Sequence, residues 1–150
     1  MALDDHIRIL AGVGLFAGFT QDQLRLLAFG AEAMSLPTGR KLYREDDDAD
    51  SAYIVVHGKV RLFRENEGEP VDVGTAEAGA TLGEMALIAD TRRLTSAEAA
   101  TEAEVLRINR SMFRRILEEY PETAESLRDR IIEDLQALIR KIEQVGERLG

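Results

Sequence analysis

Residues 34–109 dictate the architecture more than any other part of the chain. Segments such as "AYIVVHGKVRLF" are rich in β-branched and aromatic side chains, with Gly58 as a break. Val60 and Leu62 alternate with Lys59 and Arg61, and Phe63 is followed by Arg64, close to the two-residue period of a half-buried strand. "RENEGEPVDVGTAE" predicts a turn from Asn66 to Pro70 and a short strand from Val71 to Thr75. "TSAEAATEAEVLRIN" predicts two more, with Val105, Leu106 and Ile108 apolar. Several short strands separated by Gly, Pro and Asp turns fit a β-sandwich or roll.

Helical patterns flank this zone. "LDDHIRIL" puts Leu3, Ile7 and Leu10 on one face, and Thr20 with Gln23 forms a capping-box pattern ahead of Leu24, Leu27 and Ala28. After residue 109, Ser111 is the expected N-cap of a helix that ends at Pro121, and Pro121 opens a long second one. Ile131, Leu135, Leu138, Ile142, Val145 and Leu149 repeat at alternating four- and three-residue steps, with Ile132 and Ile139 beside them. A helix of about 40 Å at 1.5 Å per residue exceeds what one small β domain covers. The seam Ile131, Leu135, Leu138, Ile142 and Val145 is therefore expected to meet a second copy, packing on its own domain being the alternative. The chain reads as one domain, 1–150: helices in 1–33, the β-rich part in 34–109 and helices in 110–150.

Charge and composition exclude several functions. The formal net charge of -9 opposes a nucleic-acid partner, because phosphate backbones attract basic surfaces. A small anion remains possible, since a local site is positive on many acidic proteins. With no cysteine there is no disulfide, thiolate metal site or thiol nucleophile, and His6 and His57 form no metal spacing. The four aspartates of "REDDDAD" lack the glycine and terminal glutamate of a calcium loop. No nucleophile–base–orienter set is present, so a non-enzyme is expected. The acidic "MALDDHIRIL" is unlike a secretory leader, and no apolar run approaches the roughly 18 residues of a membrane span, so a cytoplasmic protein is expected.

The stretch "LGEMALIADTRRLTS", Leu82 to Ser96, carries the chemistry. Gly83 lets the backbone turn and approach a ligand, and "EMALI" makes about one and a half turns of helix whose free amides form an anion site. Arg93 follows where the chain can return to the same place, and a guanidinium beside helix amides suits a phosphate. Glu84 fits if the ligand also carries sugar hydroxyls. On spacing alone, an ordinary surface ion pair between Glu84 and Arg93 explains the two residues equally well.

"GEMALIADTRRLTSAEA" resembles the phosphate-binding cassette of cyclic-nucleotide-binding domains, of the catabolite-activator and protein-kinase regulatory-subunit kind. "LPTGRKLYREDDDADSAYIVVHGKVRLF" and "EVLRINRSMFRRILEEYPE" are similar to the family's early strands and to its last strand and following helix. The resemblance implies an eight-stranded β jelly roll, mainly β, with N-terminal helices and a long C-terminal helix, and a cassette over 82–95. It implies a ligand site made of Leu82, Gly83, Glu84, Met85, Ala86, Arg93, Leu94 and Thr95. Glu84 would take the ribose 2′-hydroxyl and Arg93 the cyclic phosphate, while Gly83, Met85 and Ala86 would offer backbone contacts and Arg92 would face solvent. Leu127, Ile131 and Asp134 would form a lid over the purine.

Two departures stand out. Leu94 replaces the family's small residue after the arginine and is expected to crowd the phosphate; the absence of Thr there favours cyclic AMP over cyclic GMP. Asp46 replaces a glycine in a tight turn, where aspartate tolerates the left-handed conformation better than most residues. No cofactor or metal is implied. The function expected is a stand-alone cytosolic sensor, without a DNA-binding module, that signals through the C-terminal helix to a protein effector. The alternative is an interaction module that keeps the fold without the ligand.

Overall fold

The computed structural model describes residues 2–149, with the side chains of residues 2, 66 and 146–149 outside the described set. The Leu149 side chain of the heptad pattern therefore lies outside the described set. Helix α1 spans Ala2–Ala11, a 3-10 helix spans Gly14–Phe16, and α2 spans Gln21–Gly30. The capping box forms as expected: Thr20 N–H donates to Gln23 Oε1 (2.8 Å) and Gln23 N–H donates to Thr20 Oγ1 (3.2 Å).

Ten strands follow: β1 Glu32–Leu36, β2 Lys41–Tyr43, β3 Asp48–Ala49, β4 Ser51–His57, β5 Val60–Asn66, β6 Glu69–Ala76, β7 Thr81–Leu82, β8 Thr91–Arg92, β9 Ser96–Ala99 and β10 Ala103–Asn109. They form antiparallel sheets in the orders β1-β10-β4-β7 and β2-β9-β5-β6, with β3-β8 as a separate two-stranded ribbon. The two four-stranded sheets supply the eight strands of the β roll. β1 starts two residues earlier than the boundary at 33/34 implied, because Glu32 already pairs with Arg107 of β10. The turn expected over Asn66 to Pro70 is tighter. Asn66 pairs with Glu69, leaving only Glu67 (φ 54°) and Gly68 (φ 83°) between the strands. Two consecutive positive φ values are what a two-residue hairpin loop demands.

The strands divide two cores. Along β4, Tyr53 and Val55 face the interior of the roll with Leu36, Val60, Leu82 and Val105. Ala52 and Ile54 face the other way, against the helices, with Leu10, Phe16, Leu27, Leu106, Ile108 and Phe113. This is strand alternation with both faces buried.

Helix α3 spans Arg110–Glu119 and α4 spans Pro121–Leu149. The cap of α3 is Asn109, not Ser111: the Asn109 side chain accepts from Ser111 N–H (2.8 Å), and extended backbone at Asn109 ends β10 and starts the helix in one residue. Ser111 belongs to the first turn. α4 begins at Pro121 as expected. Its residues Leu127 and Ile131 are fully buried in the core that the helices share, where α4 meets α3 and the Gly14–Phe16 3-10 helix. Ile131 therefore belongs to its own domain's core and is unavailable to a second copy. No helix among the described residues is long and apolar enough to cross a membrane.

Candidate functional site

The site forms where β7 ends. Leu82 is buried and pairs with Tyr53, and Gly83 then takes a left-handed conformation (φ 69°, ψ 29°) that caps a 3-10 helix over Glu84–Leu87. The conformation requires glycine for a second reason: a Cβ built there would overlap Arg93 Nη1. Ala86 is fully buried and its amide donates to the Gly83 carbonyl (3.1 Å), closing the first turn. Ala86 N–H thus has an acceptor within the turn. Met85 is only partly buried.

Arg93 is fixed beside Gly83 because its own backbone is tied on both sides, just after β8. Arg93 N–H donates to the Asp47 carbonyl (2.8 Å), and Asp46 N–H, on a residue at φ 70°, donates to the Arg93 carbonyl (2.8 Å). The side chain is 5% exposed. Nη2 donates to the Ser51 carbonyl (2.8 Å), and the guanidinium carbon lies 4.3 Å from the Tyr43 ring centroid and 5.6 Å from that of Tyr53. Those two rings stack at 5.9 Å. Such contacts stabilise a desolvated cation by roughly 2 kcal/mol, far less than burial of an unpaired charge costs. Among the described residues no carboxylate pairs with Arg93, and its Nε and Nη1 are buried without a hydrogen-bond partner. The surface ion pair with Glu84 is therefore not what these residues form. The arrangement leaves two charge-bearing donors buried without an acceptor, Nη1 beside Gly83.

Glu84 is held in an uncommon state. Burial, then the nearby Asp134 carboxylate, push its carboxyl up to about 8, against a smaller opposing pull from its own backbone N–H. Tyr43 is pushed up to about 12, by burial, which outweighs the opposing influence of Arg93.

A cavity of about 560 Å³ opens here, within the range of small-molecule sites. Leu82, Gly83, Glu84 and Thr95 line it, with Tyr43 and, from β6, Val73, Gly74 and Thr75. Its far wall is one face of α4: Arg130, Glu133, Asp134, Ala137, Leu138 and Lys141. Met85, Arg93 and Leu94 line an adjoining groove of about 220 Å³ that shares Gly83, Glu84 and Thr95.

Of the three expected lid residues only Asp134 reaches the cavity. Leu127 and Ile131 are buried about two turns and one turn earlier, because the apolar stripe at that end of α4 docks on α3 and the Gly14–Phe16 3-10 helix. Leu138, expected on a dimer seam, lines the cavity instead, and Leu135 lines the groove. Ile142 and Val145 are half-buried, while Ile132 (37%) and Ile139 (39%) are exposed. Leu94 is 36% exposed and shares the groove with Leu135, Leu138 and Ile139, so it is not packed over the guanidinium. Arg92 faces solvent, 3.8 Å from Asp48.

Sequence reasoning missed Tyr43, Ser51 and, beside Asp134, the Arg130, Glu133 and Lys141 side of α4. Each reaches the site through long-range pairing, for which no local pattern is a signal.

A model of the family described as "Cyclic nucleotide-binding domain" matches residues 33–120. A solved structure of a cyclic nucleotide-binding-like protein from Brucella abortus is 59% identical, with a TM-score of 0.71, over 77% of this chain and 99% of that one. The cAMP-dependent protein kinase regulatory subunit of Emericella nidulans is 32% identical over 91 residues, 61% of this chain and 22% of its own length. A lysophospholipase of Aspergillus fumigatus is 28% identical over 94 residues, 62% of this chain and 6% of its own. The chain thus spans less than a quarter of the length of these curated relatives.

Proposed function

The chain belongs to the cyclic nucleotide-binding domain family, and on that premise we propose that it is a sensor of cyclic AMP, binding the ligand without chemistry. The observation that carries this reading is the buried Arg93 guanidinium with Nε and Nη1 unpartnered. A cyclic phosphate supplies the missing charge and acceptors at that point. Glu84 receives a ribose hydroxyl, and the purine lies between β6 and the Asp134–Leu138 face of α4. Asp134 accepts from the adenine 6-amino group, where guanine carries a carbonyl acceptor, which with the absence of Thr at position 94 favours adenine over guanine.

About 22 ligand heavy atoms at roughly -0.3 kcal/mol each give about -7 kcal/mol, near micromolar affinity. The signal leaves through α4, whose first turns are anchored in the core while residues 133–141 border the cavity. Ligand changes what that segment rests on, and an effector protein reads the change. A second copy covers the exposed Ile132 and Ile139 together with Ile142 and Val145. We assign the protein to the cytosol.

Calorimetry with cyclic AMP tests the reading. The parent binds near micromolar, and Arg93→Ala weakens binding at least tenfold, as loss of one charge-assisted hydrogen bond of about 1.5–3 kcal/mol requires. Equal affinity in the two proteins sinks the assignment. No binding to the parent up to millimolar ligand favours an interaction module that has kept the fold.

A further inference from the structure

The carbonyls at the C-terminal end of the cassette helix have a partner that lies outside the cassette. A helix leaves its last carbonyls without intrahelical donors, and they attract a cation. Here the cation is Arg110, the first residue of α3. Its Nη1 donates to the Ala89 carbonyl (2.8 Å) and also lies 3.4 Å from the Ala86 carbonyl. The same nitrogen donates to the Ala49 carbonyl (3.1 Å), and Nη2 pairs with Asp90 (2.8 Å).

Ala49 is on the ribbon strand that pairs with Thr91, two residues before Arg93. One guanidinium thus ties the end of the cassette helix, the loop after it and the ribbon into one frame. The backbone of Arg110 is itself fixed, since its N–H donates to the Asp50 carbonyl (2.8 Å). One turn on, Phe113 is buried in the same core as Leu87 of the cassette helix.

We infer that Arg110 is a positioning residue for ligand recognition: it holds the Ala86–Asp90 turn and the Ala49–Thr91 ribbon together, and through them the place where Arg93 points. The assignment rests on the proposed nucleotide site for its functional readout. Its structural readout is independent of any ligand. The planar fork suits this task, because a point charge does not span several carbonyls and a carboxylate at once. An open groove of about 550 Å³ borders Arg110, so water replaces the lost donors when the side chain is changed and the fold survives.

The experiment uses the full chain and Arg110→Met, which keeps an apolar stem without donors. Hydrogen exchange of the ligand-free proteins is compared first. Amides of residues 86–93 exchange at least tenfold faster in the variant, while those of β4 and β10 are unchanged. Cyclic AMP affinity by calorimetry falls at least tenfold in parallel. Unchanged exchange over 86–93 overturns the inference, as does faster exchange spread evenly over the roll, or an affinity within twofold of the parent. If the parent itself binds no cyclic AMP, the nucleotide reading fails, and the exchange comparison alone decides the role of Arg110. Should Arg110→Met not fold, Arg110→Gln is read by the same criteria.

Discussion

Replacing Glu84 by glutamine changes how stability depends on pH, and the sign follows from the direction of its shift. An unfolded glutamate titrates near 4.5, whereas in the folded chain burial and Asp134 push Glu84 up to about 8. Between those values the folded state holds more protons than the unfolded one, so stability is fully present below pH 4.5 and is lost as pH rises through 8. At about 1.4 kcal/mol per unit the full window corresponds to about 5 kcal/mol. Partial exposure and relaxation on ionisation reduce this to roughly 2–3 kcal/mol, about 6–9 °C in melting temperature for a chain of this size. Glutamine keeps the shape and has no titration. The ligand-free parent and Glu84→Gln are melted from pH 5 to pH 9. The variant gains on the parent by about 6–9 °C across that range, because only the parent must either ionise a buried carboxyl or hold its proton against the solvent. Parallel melting curves refute the reasoning, since they place the Glu84 carboxyl in water.

The other expectations concern shape. Gly83→Ala forces an alanine into a left-handed conformation at about 1–2 kcal/mol and drives its Cβ into the Arg93 guanidinium. Cyclic AMP affinity by calorimetry falls at least tenfold, and a parent-like affinity contradicts the contact. Ile139→Glu puts a charge on the exposed side of α4 without touching the core. The mass from light scattering falls from dimer to monomer with the far-ultraviolet circular dichroism unchanged, and a parent that is already monomeric ends the proposal of a second copy.

Much of the roll was legible because its signals are local. Thr20 and Gln23 cap α2 as their spacing says, Asp46 occupies the left-handed turn, and the alternation through Val60–Phe63 is a strand. Gly83, Glu84 and Arg93 border one groove. What was not legible depends on what packs against what. A helical stripe states that one face is apolar and does not state what covers it. Leu127 and Ile131 look like lid and seam residues by period, and they are core because α3 and the Gly14–Phe16 3-10 helix sit on that end of α4. Leu138 lines a cavity because the same face continues past those helices over β6. Asn109 displaces Ser111 as a cap because the last strand hands over to the helix in one residue, a junction that propensity does not locate. Tyr43 and Ser51 lie far from Arg93 along the chain and meet it only when the sheets close.

Strand β4 is a party wall. Tyr53 and Val55 furnish the apolar core of the roll, Ala52 and Ile54 furnish the core shared with the helices, and the Ser51 carbonyl grips Arg93. Neither core can be refurnished from this strand without disturbing the other. An engineer wishing to retune ligand preference while leaving the helical response alone would therefore work from β6 or the outer face of the cavity, and would leave residues 51–55 as they are.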